Sequence, residues 1–306
     1  MKDNITISTA QLFKLFPDQE SARTYLESRL WPNGTRCPVC GLGERVTARA
    51  GGYYRCNQCR EDFTVRTGTI FERSHVPLHK WLHAMYLLLT ARKGISSMQL
   101  SKELSITQKS AWFVLHRLRE ACGKEIDKLR GIIEIDETYF GGKEGNKHAA
   151  KKLNAGRGAV GKTAVLGMRE RGGRTVAAPV SDVDMDTVHR AIHARVDVGS
   201  TLNTDNAAVY DGIGGLFFNH ESINHTAGEY VRGNVTTNSI ESVFAVMKRG
   251  ITGVYHHASR KHLGRYVNEF AFRLNEGNVK RATLARLDSL IVATAHKRMT
   301  YKEFIA

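Results

Sequence analysis

The sequence lacks a long hydrophobic run. Its longest apolar stretch, Ala84–Leu89, is far shorter than the ~20 residues that a membrane-spanning helix needs. The first residues also lack the continuous apolar segment of a secretory signal peptide. We therefore expect an intracellular protein with no membrane partner. Cysteines are few, five in 306 residues, and because thiols stay reduced inside cells, no disulfide framework is predicted.

Acidic residues are scarce compared with basic ones. The chain has 45 Lys and Arg residues against 30 Asp and Glu, which gives a net charge of +15 and an isoelectric point near 9.7. Basic residues outnumber acidic ones 21 to 12 up to Arg130 and 24 to 18 after it, so the excess of positive charge is not confined to one tail. This balance favours a polyanionic partner, most often nucleic acid. A basic protein with no nucleic-acid role is the alternative.

Four of the five cysteines form two Cys-x-x-Cys pairs. Cys37 and Cys40 make the first pair, Cys56 and Cys59 the second, and fifteen residues separate them. Each pair can aim two thiolates at one point, and a hairpin can bring all four around one tetrahedral Zn2+. The spacing predicts a zinc ribbon with one structural zinc per chain. Four unrelated cysteines or a redox pair are the alternatives. The fifth cysteine, Cys122, is assigned a structural role.

The region after the ribbon has the pattern of a helix-turn-helix. Helices are predicted from Pro77 to Thr90, over 97–104, and from Thr107 to about Ala121 after a tight turn. The third helix is polar and basic at its start, as a DNA-reading helix is. The residues expected to reach base edges are Gln108, Lys109 and Ser110. Packing of three helices without DNA contact is the alternative.

Two predicted strands carry an acid among apolar residues. In the strand that follows Gly131 the side chains alternate, so Glu134 and Asp136 share one face. A second strand, STLNTD, ends at Asp205. Burying a carboxylate is costly unless a cation balances it. Because hard cations such as Mg2+ prefer carboxylate oxygens, these acids favour a divalent-cation site.

A third acid lies on a predicted amphipathic helix, Asn234–Arg249. The positions expected to be buried are Ile240, Val243, Phe244 and Met247. Glu241 and Lys248 are two turns apart and share another face. A carboxylate and an ammonium on one face suit a site that binds metal and phosphate. A surface helix with an incidental acid and base is the alternative.

A glycine-rich, basic loop is predicted from Gly142 to Thr163, and it could follow a phosphate backbone. The DNA contacts expected from it are Lys151, Lys152 and Arg157. Its last residues, GRGAVGKT, match the P-loop pattern, which requires a preceding buried strand and a following helix. Neither is predicted here, so nucleotide binding is not expected.

Together these stretches resemble the ISXO2-like transposases of the IS1595 insertion-sequence family. The matching segments, in the family's order, are CPVC…CNQC, FTVRTGTIFERSHVPLHKW, IEIDETYFGG, the basic glycine loop, TDNAAVY and NSIESVFAVMKRGITGVYHHASRKHLGRYVNEFAFRLN. The resemblance implies a DDE-type catalytic domain in which Asp136, Asp205 and Glu241, here called the acid triad, hold two Mg2+ or Mn2+ ions. It also implies that Lys248 acts near a DNA end, and we expect Arg249 beside it to contact DNA.

The predicted fold is α+β and multidomain, with a zinc ribbon and a helix-turn-helix followed by an RNase H-like mixed α/β catalytic domain. The expected boundaries are 1–35 for a helical lead-in, 36–76 for the zinc ribbon, 77–130 for the helix-turn-helix, 131–275 for the catalytic domain and 276–306 for a C-terminal helical tail. The sequence leaves open whether the tail closes a core or helps to form a dimer.

The function that the resemblance implies is DNA transposition. Metal ions at the acid triad would activate water to cut the element's 3′ end, and the freed 3′-OH would join target DNA. The expected partners are double-stranded DNA, as terminal repeats and target, and further copies of the chain in a homodimer or larger assembly. The expected location is the bacterial cytoplasm, at the nucleoid. Two rival interpretations are an RNase H-like nuclease that does not join DNA and a non-catalytic zinc-ribbon regulator.

Overall fold

The computed structural model describes residues 6–123, 127–142, 144–146, 148–153, 159–215, 217–224, 227–277, 281–300 and 303–304. The chain divides into two compact units, one of residues 1–124 with 276–306 and the other of residues 125–275. Helices and a small sheet make the first unit, and a mixed sheet with helices makes the second, so the protein is α+β. None of the described helices has the length and apolarity to cross a membrane.

The first unit begins with two helices, α1 (Thr9–Leu15) and α2 (Gln19–Leu30). Asp18 caps α2, because its carboxylate accepts a hydrogen bond from the Ser21 backbone N–H at 2.8 Å. Leu12 and Leu26 bury the inner faces of the two helices. Local capping and one apolar face are therefore enough to explain this lead-in.

A three-stranded antiparallel ribbon follows, with strand order β1-β2-β3. Its strands are β1 (Val46–Arg49), β2 (Tyr53–Cys56) and β3 (Asp62–Phe63). The turn between β1 and β2 has Gly51 and Gly52 at φ of 71° and 75°, which glycine adopts without steric cost. Trp31 packs edge-on against Tyr54 and Phe63, with ring centroids 5.3 and 6.0 Å apart. A small aromatic cluster therefore supports the ribbon.

Three helices come next: α3 (Leu78–Thr90), α4 (Ser97–Leu104) and α5 (Gln108–Cys122). Their bounds agree with the sequence prediction to within a residue or two. The Ser96 hydroxyl accepts from the Gln99 N–H at 3.1 Å, and the Thr107 hydroxyl accepts from the Ser110 N–H at 3.1 Å. Ser105, in the turn between α4 and α5, has a left-handed φ of 48°. A tight turn therefore joins two capped helices.

The second unit is built on a five-stranded sheet of order β6-β5-β4-β7-β8. Its strands are β4 (Ile132–Phe140), β5 (Thr163–Glu170), β6 (Thr175–Val180), β7 (Thr201–Asp205) and β8 (Asn219–Ile223). The pairs β4/β5 and β5/β6 are antiparallel, and β4/β7 and β7/β8 are parallel. Strands β5 and β6 form a hairpin. Because β5 begins at Thr163, a strand and not a helix follows the P-loop-like residues.

Helices cover both faces of this sheet. On one face α6 (Met185–Arg195) packs Val188 and Ile192 against Ile133 and Ile135 of β4. The other face meets two helices, α7 (Asn238–Gly250) and α8 (Leu263–Glu276). Since side chains alternate along a strand, Glu134 and Asp136 point to the α7 side.

Helix α7 buries the four apolar residues that the sequence predicts, Ile240, Val243, Phe244 and Met247. It begins later than predicted, at Asn238, and Arg232 and Val235 pair in a short bridge just before it. A π-helix, Ile251–Tyr255, continues from its C-terminal end. The buried stripe therefore holds the helix while Glu241 and Lys248 stay exposed.

The last helix, α9 (Thr283–Val292), belongs to the first unit and packs on α2 and α3. Asp288 accepts hydrogen bonds from the Tyr25 hydroxyl at 2.5 Å and from Arg29 Nε at 2.9 Å. Arg286 donates to the carbonyl oxygen of Leu89 at 2.6 Å. The C-terminal segment therefore closes the core of the helical unit, a choice that the sequence left open.

Gly167 allows α7 to approach the sheet closely. It lies opposite Asp136 in the β4/β5 register. A Cβ atom at this position would lie 2.6 Å from Cζ of Phe244 and 2.9 Å from Cδ1 of Ile240, closer than carbon atoms pack. The missing side chain therefore makes room for the helix that carries Glu241.

Replacing Gly167 with alanine should force α7 away from the sheet. We expect Gly167→Ala to lower the free energy of unfolding by about 1–3 kcal/mol, the usual cost of overpacking a core. The cost should be smaller in a Phe244→Leu background, because the ring that meets the new methyl group is gone. Urea unfolding of the single and double variants measures both effects.

Gly142→Ala is the matched control, because no atom lies within 4 Å of the Cβ it would add. This variant should leave the unfolding midpoint unchanged. Equal midpoints for Gly167→Ala and Gly142→Ala would contradict the close approach of α7.

Candidate functional site

The ribbon brings its four cysteines together. Their Sγ atoms all lie within 4.8 Å of one another, with Cys37 and Cys59 at 3.5 Å and Cys40 and Cys56 at 3.6 Å. Four thiolates bound at about 2.3 Å to one tetrahedral zinc would lie about 3.8 Å apart. The observed cluster therefore fits one zinc ion held by four protein ligands, as a structural site requires.

Backbone hydrogen bonds shape the turns that carry the thiols. The N–H of Gly41 donates to the carbonyl of Cys37 at 2.9 Å, and the N–H of Cys56 donates to the carbonyl of Glu61 at 3.0 Å. The backbone N–H groups of Cys59 and Gln58 lower the pKa of the Cys56 thiol to about 6. A thiol of that pKa is ionised at neutral pH, which is the form that binds a metal.

The acid triad lies on one face of the second unit. The β4/β7 register pairs Glu134 with Asn203, and Asp136 and Asp205 lie two residues further along these parallel strands. They therefore point to the same face of the sheet, side by side. Glu241 lies in the first turn of α7, the helix that packs on this face.

Each triad carboxylate has a local hydrogen bond. Asp136 Oδ1 accepts from the N–H of Glu137 at 2.8 Å, and Asp205 Oδ1 accepts from the N–H of Ala207 at 3.2 Å. Glu241 Oε1 accepts from the Thr237 hydroxyl at 2.9 Å. These bonds orient the carboxylates but leave oxygen lone pairs for a further ligand.

Negative charge is concentrated around Asp136. Burial is the largest cause that raises the pKa of Asp136, to about 7, and the nearby carboxylates Glu137, Asp205 and Glu241 raise it further. In the part of the chain that the structure describes, no lysine or arginine forms an ion pair with Asp136 or Asp205. Such a half-buried group of acids would be stabilised by a divalent cation, and the donor set suits Mg2+ or Mn2+.

The thiols form the tighter cluster. Among the described residues, the four cysteines are the only group of three or more His, Cys, Asp or Glu side chains placed so that they could hold a metal ion. Lys248 and Arg249 are exposed in the last turn of α7. Seven residues at 1.5 Å each place Lys248 about 10 Å along the helix axis from Glu241.

Two family models match the chain over these sites. The ISXO2-like transposase domain matches residues 128–275, which contain the acid triad, and the transposase zinc-ribbon domain matches residues 17–62, which contain the four cysteines. Together they cover more than half of the chain. The chain belongs to the ISXO2-like transposases of the IS1595 family.

A relative supports this membership. The uncharacterized protein in transposable element ISH50 of Halobacterium salinarum is 29% identical over 275 residues, which are 85% of this chain and 92% of that protein. A chain of the cryo-EM structure of the simian T-cell lymphotropic virus intasome in complex with PP2A regulatory subunit B56 gamma is 13% identical, with a TM-score of 0.28. That alignment covers 60% of this chain and 66% of the other, slightly less than two thirds. At such a TM-score the likeness carries no argument.

A further acid, which sequence reasoning missed, lies beside Asp136. Glu137 follows Asp136 but points to the other face of β4, where the buried Tyr210 donates a hydrogen bond to its Oε2 at 2.8 Å. Burial raises the pKa of Glu137, and Asp205 raises it further. The adjacent acids were visible in the sequence, but the tyrosine lies 73 residues away. The bond ties β4 to the segment that follows β7.

The candidate DNA contacts of the transposase have different surroundings. Gln108 donates to the Ser97 hydroxyl at 2.8 Å, and Ser110 is bonded to the capping residue Thr107, whereas Lys109 is exposed. In the glycine loop Lys152 is exposed. The side chain of Lys151 and the whole of Arg157 lie outside the described residues.

Loss of the zinc site should unfold the ribbon and leave the five-stranded sheet intact. We expect Cys56→Ser to reduce bound zinc from about one per chain to a small fraction, because one of the four ligands is lost. Amide exchange should then quicken in β1–β3 but stay slow in β4–β8. A zinc-release assay and hydrogen–deuterium exchange measure the two effects.

Cys122→Ser, a change outside the cluster, should keep full zinc content. Full zinc content in Cys56→Ser, or equal loss in both variants, would contradict the four-cysteine site.

The raised pKa of Asp136 predicts a pH dependence of stability when no divalent ion fills the acid triad. Its ordinary value is 3.8, so between about pH 4 and pH 7 the folded chain binds a proton that the unfolded chain has lost. The free energy of unfolding should therefore fall as pH rises through this window, by at most about 1.4 kcal/mol per unit. Asp136→Asn should remove this fall.

Urea unfolding of the zinc-loaded, magnesium-free chain across the window gives the measurement. Asp182→Asn, at an exposed position before α6, should follow the wild-type curve. Parallel curves for wild type and Asp136→Asn would contradict the prediction.

Proposed function

We propose that the chain is a DDE-type DNA transposase whose acid triad holds two Mg2+ or Mn2+ ions. The observation that carries the proposal is the placement of Asp136 and Asp205 on one face of neighbouring parallel strands, where no lysine or arginine among the described residues pairs with them to offset their mutual repulsion. Ions bound there would make a nucleophile of water or of a 3′-OH and stabilise the charge that develops on the phosphodiester.

An RNase H-like fold is proposed for residues 131–275. Its support is the sheet itself, in which three consecutive antiparallel strands are extended by two parallel strands on the other edge of β4. The first acid lies on the central strand β4, the second at the end of its neighbour β7 and the third on a covering helix. This arrangement brings three distant parts of the sequence to one face.

The residues of the site have separate tasks in this proposal. Asp136, Asp205 and Glu241 would hold the ions, and Asp136, whose pKa is raised by burial and by the neighbouring acids, would have to be deprotonated to do so. Lys248, at the far end of α7, holds a phosphate group and so orients a DNA end, and Arg249 contacts the same strand. No serine or tyrosine is needed as a nucleophile, because water and a 3′-OH attack.

The first unit is proposed to recognise the ends of the element. The zinc ribbon of residues 36–76 and the helix-turn-helix of residues 77–130 would bind double-stranded DNA. The bond between Gln108 and Ser97 fixes the start of α5 against α4, and Lys109 beside it is free to reach DNA. Lys151, Lys152 and Arg157 would follow the phosphate backbone. Because two element ends must be joined, a dimer or larger assembly is expected on DNA.

Strand transfer tests the proposed activity. A pre-cut element end, a target plasmid and Mg2+ or Mn2+ are incubated with wild type, Asp205→Ala or Asp211→Ala. We expect joined product from wild type, none above background from Asp205→Ala, and wild-type amounts from Asp211→Ala, an exposed acid that follows β7. Gel analysis separates joined from nicked products.

The other outcomes favour the rival interpretations. Nicking by wild type without joining would favour a nuclease, and tight binding of the end without chemistry would favour a regulator. Equal joining by wild type and Asp205→Ala would remove Asp205 from the mechanism.

A further inference from the structure

A buried carboxylate lies behind the acid triad. Glu134 is on the same face of β4 as Asp136, two residues earlier, and is only 1% exposed. Its Oε2 accepts hydrogen bonds from the Ser239 N–H at 2.8 Å, the Ser239 hydroxyl at 2.5 Å and the Ile240 N–H at 3.3 Å. Glu134 therefore binds the first turn of α7, the turn that contains Glu241.

The other oxygen of Glu134 is paired with an arginine. Arg171 Nε and Nη2 donate to Oε1 at 3.2 and 3.0 Å. Nη1 of Arg171 donates to the carbonyl of Asn234 at 2.6 Å, and Nδ2 of Asn203 donates to the same carbonyl at 3.2 Å. Strands β4 and β7, the turn after β5 and the segment before α7 are thus joined around one carboxylate.

The first turn of a helix leaves backbone N–H groups without partners inside the helix, and a negative charge there is favourable. The N-cap residue of α7, Thr237, makes no capping bond with its side chain, and its hydroxyl donates instead to Glu241. A carboxylate from β4 supplies the acceptors that a local cap would normally supply. The helix start is therefore specified by the strand that carries Asp136.

We propose that Glu134 is a positioning residue that fixes Glu241 relative to Asp136, by clamping the first turn of α7 to the strand β4. Glu134 does not contact substrate or ion in this proposal, which rests on the proposed function of the acid triad. On the helix, Glu134 binds Ser239, which is two residues before Glu241. On the strand, Glu134 is two residues before Asp136, a distance of about 7 Å.

The test uses the full, zinc-loaded chain with Mn2+ as the probe and no DNA. Glu134→Gln places a donor group against either the N–H groups of α7 or Arg171, so the clamp loses one side. We expect Mn2+ to bind 10–100-fold more weakly, as is usual when a partner that orients a ligand is lost. Amide exchange should quicken at residues 238–241 while β4, β5 and β7 keep their protection.

Glu170→Gln is the matched control. Glu170 is likewise a carboxylate of the sheet, half-buried where Glu134 is buried, and its acceptor bonds come from the backbone N–H groups of Arg130 and Arg174, at 2.9 and 3.0 Å, in place of α7. Its Mn2+ affinity should equal that of wild type. Should Glu134→Gln not fold, Ser239→Ala removes one bond of the same clamp and should show both changes at smaller size.

Wild-type Mn2+ affinity in Glu134→Gln, or in Ser239→Ala when only that variant folds, would overturn the proposal. Equal weakening in Glu170→Gln would also overturn it, because a general loss of stability would then explain the effect. The proposed function fails separately, if wild type and Asp205→Ala bind Mn2+ equally. In that case the rate of amide hydrogen exchange at residues 238–241 in Glu134→Gln alone decides whether the clamp exists.

Discussion

The contact between α7 and the sheet is the constraint on which the second unit depends. Beneath the helix, Gly167 leaves the space that Ile240 and Phe244 fill. At its N-terminus, Glu134 accepts hydrogen bonds from the first turn. Packing alone sets the distance of a helix from a sheet, but a directional bond at one end also sets its position along the strands. An acid in the first turn of this helix therefore has a defined place relative to β4.

Two carboxylates on one face of β4 have opposite environments. Glu134 is compensated by Arg171 and by the N–H groups of α7. Asp136, two residues on, is surrounded by other acids, and burial together with their charge raises its pKa to about 7. Charge that is satisfied by the protein contributes to structure, whereas charge that is left unsatisfied is available for a cation. Two acidic residues of one strand thus have different roles, Glu134 in the packing of α7 and Asp136 as a candidate ligand of a cation.

The first unit is stabilised by different means. Its ribbon has a small apolar cluster around Phe63, too little for independent stability, so a metal held by four thiolates is the expected supplement. The helices around it gain a further layer from the C-terminal segment, where Asp288 bonds to Tyr25 and Arg29 of α2. Residues from the two ends of the chain therefore share one core.

Short-range pattern in the sequence determined the cysteine pairs, the helix bounds, the alternation along β4 and the buried stripe of α7, because each depends on residues a few positions apart. The acids Asp136 and Asp205 were also found by pattern, at positions within their strands. Tertiary structure alone decided the partner of Glu134, the bond from Tyr210 to Glu137, the late start of α7 and the placement of the C-terminal helix. Those contacts join residues tens to hundreds of positions apart, and only the folded sheet and helices bring them within hydrogen-bonding distance.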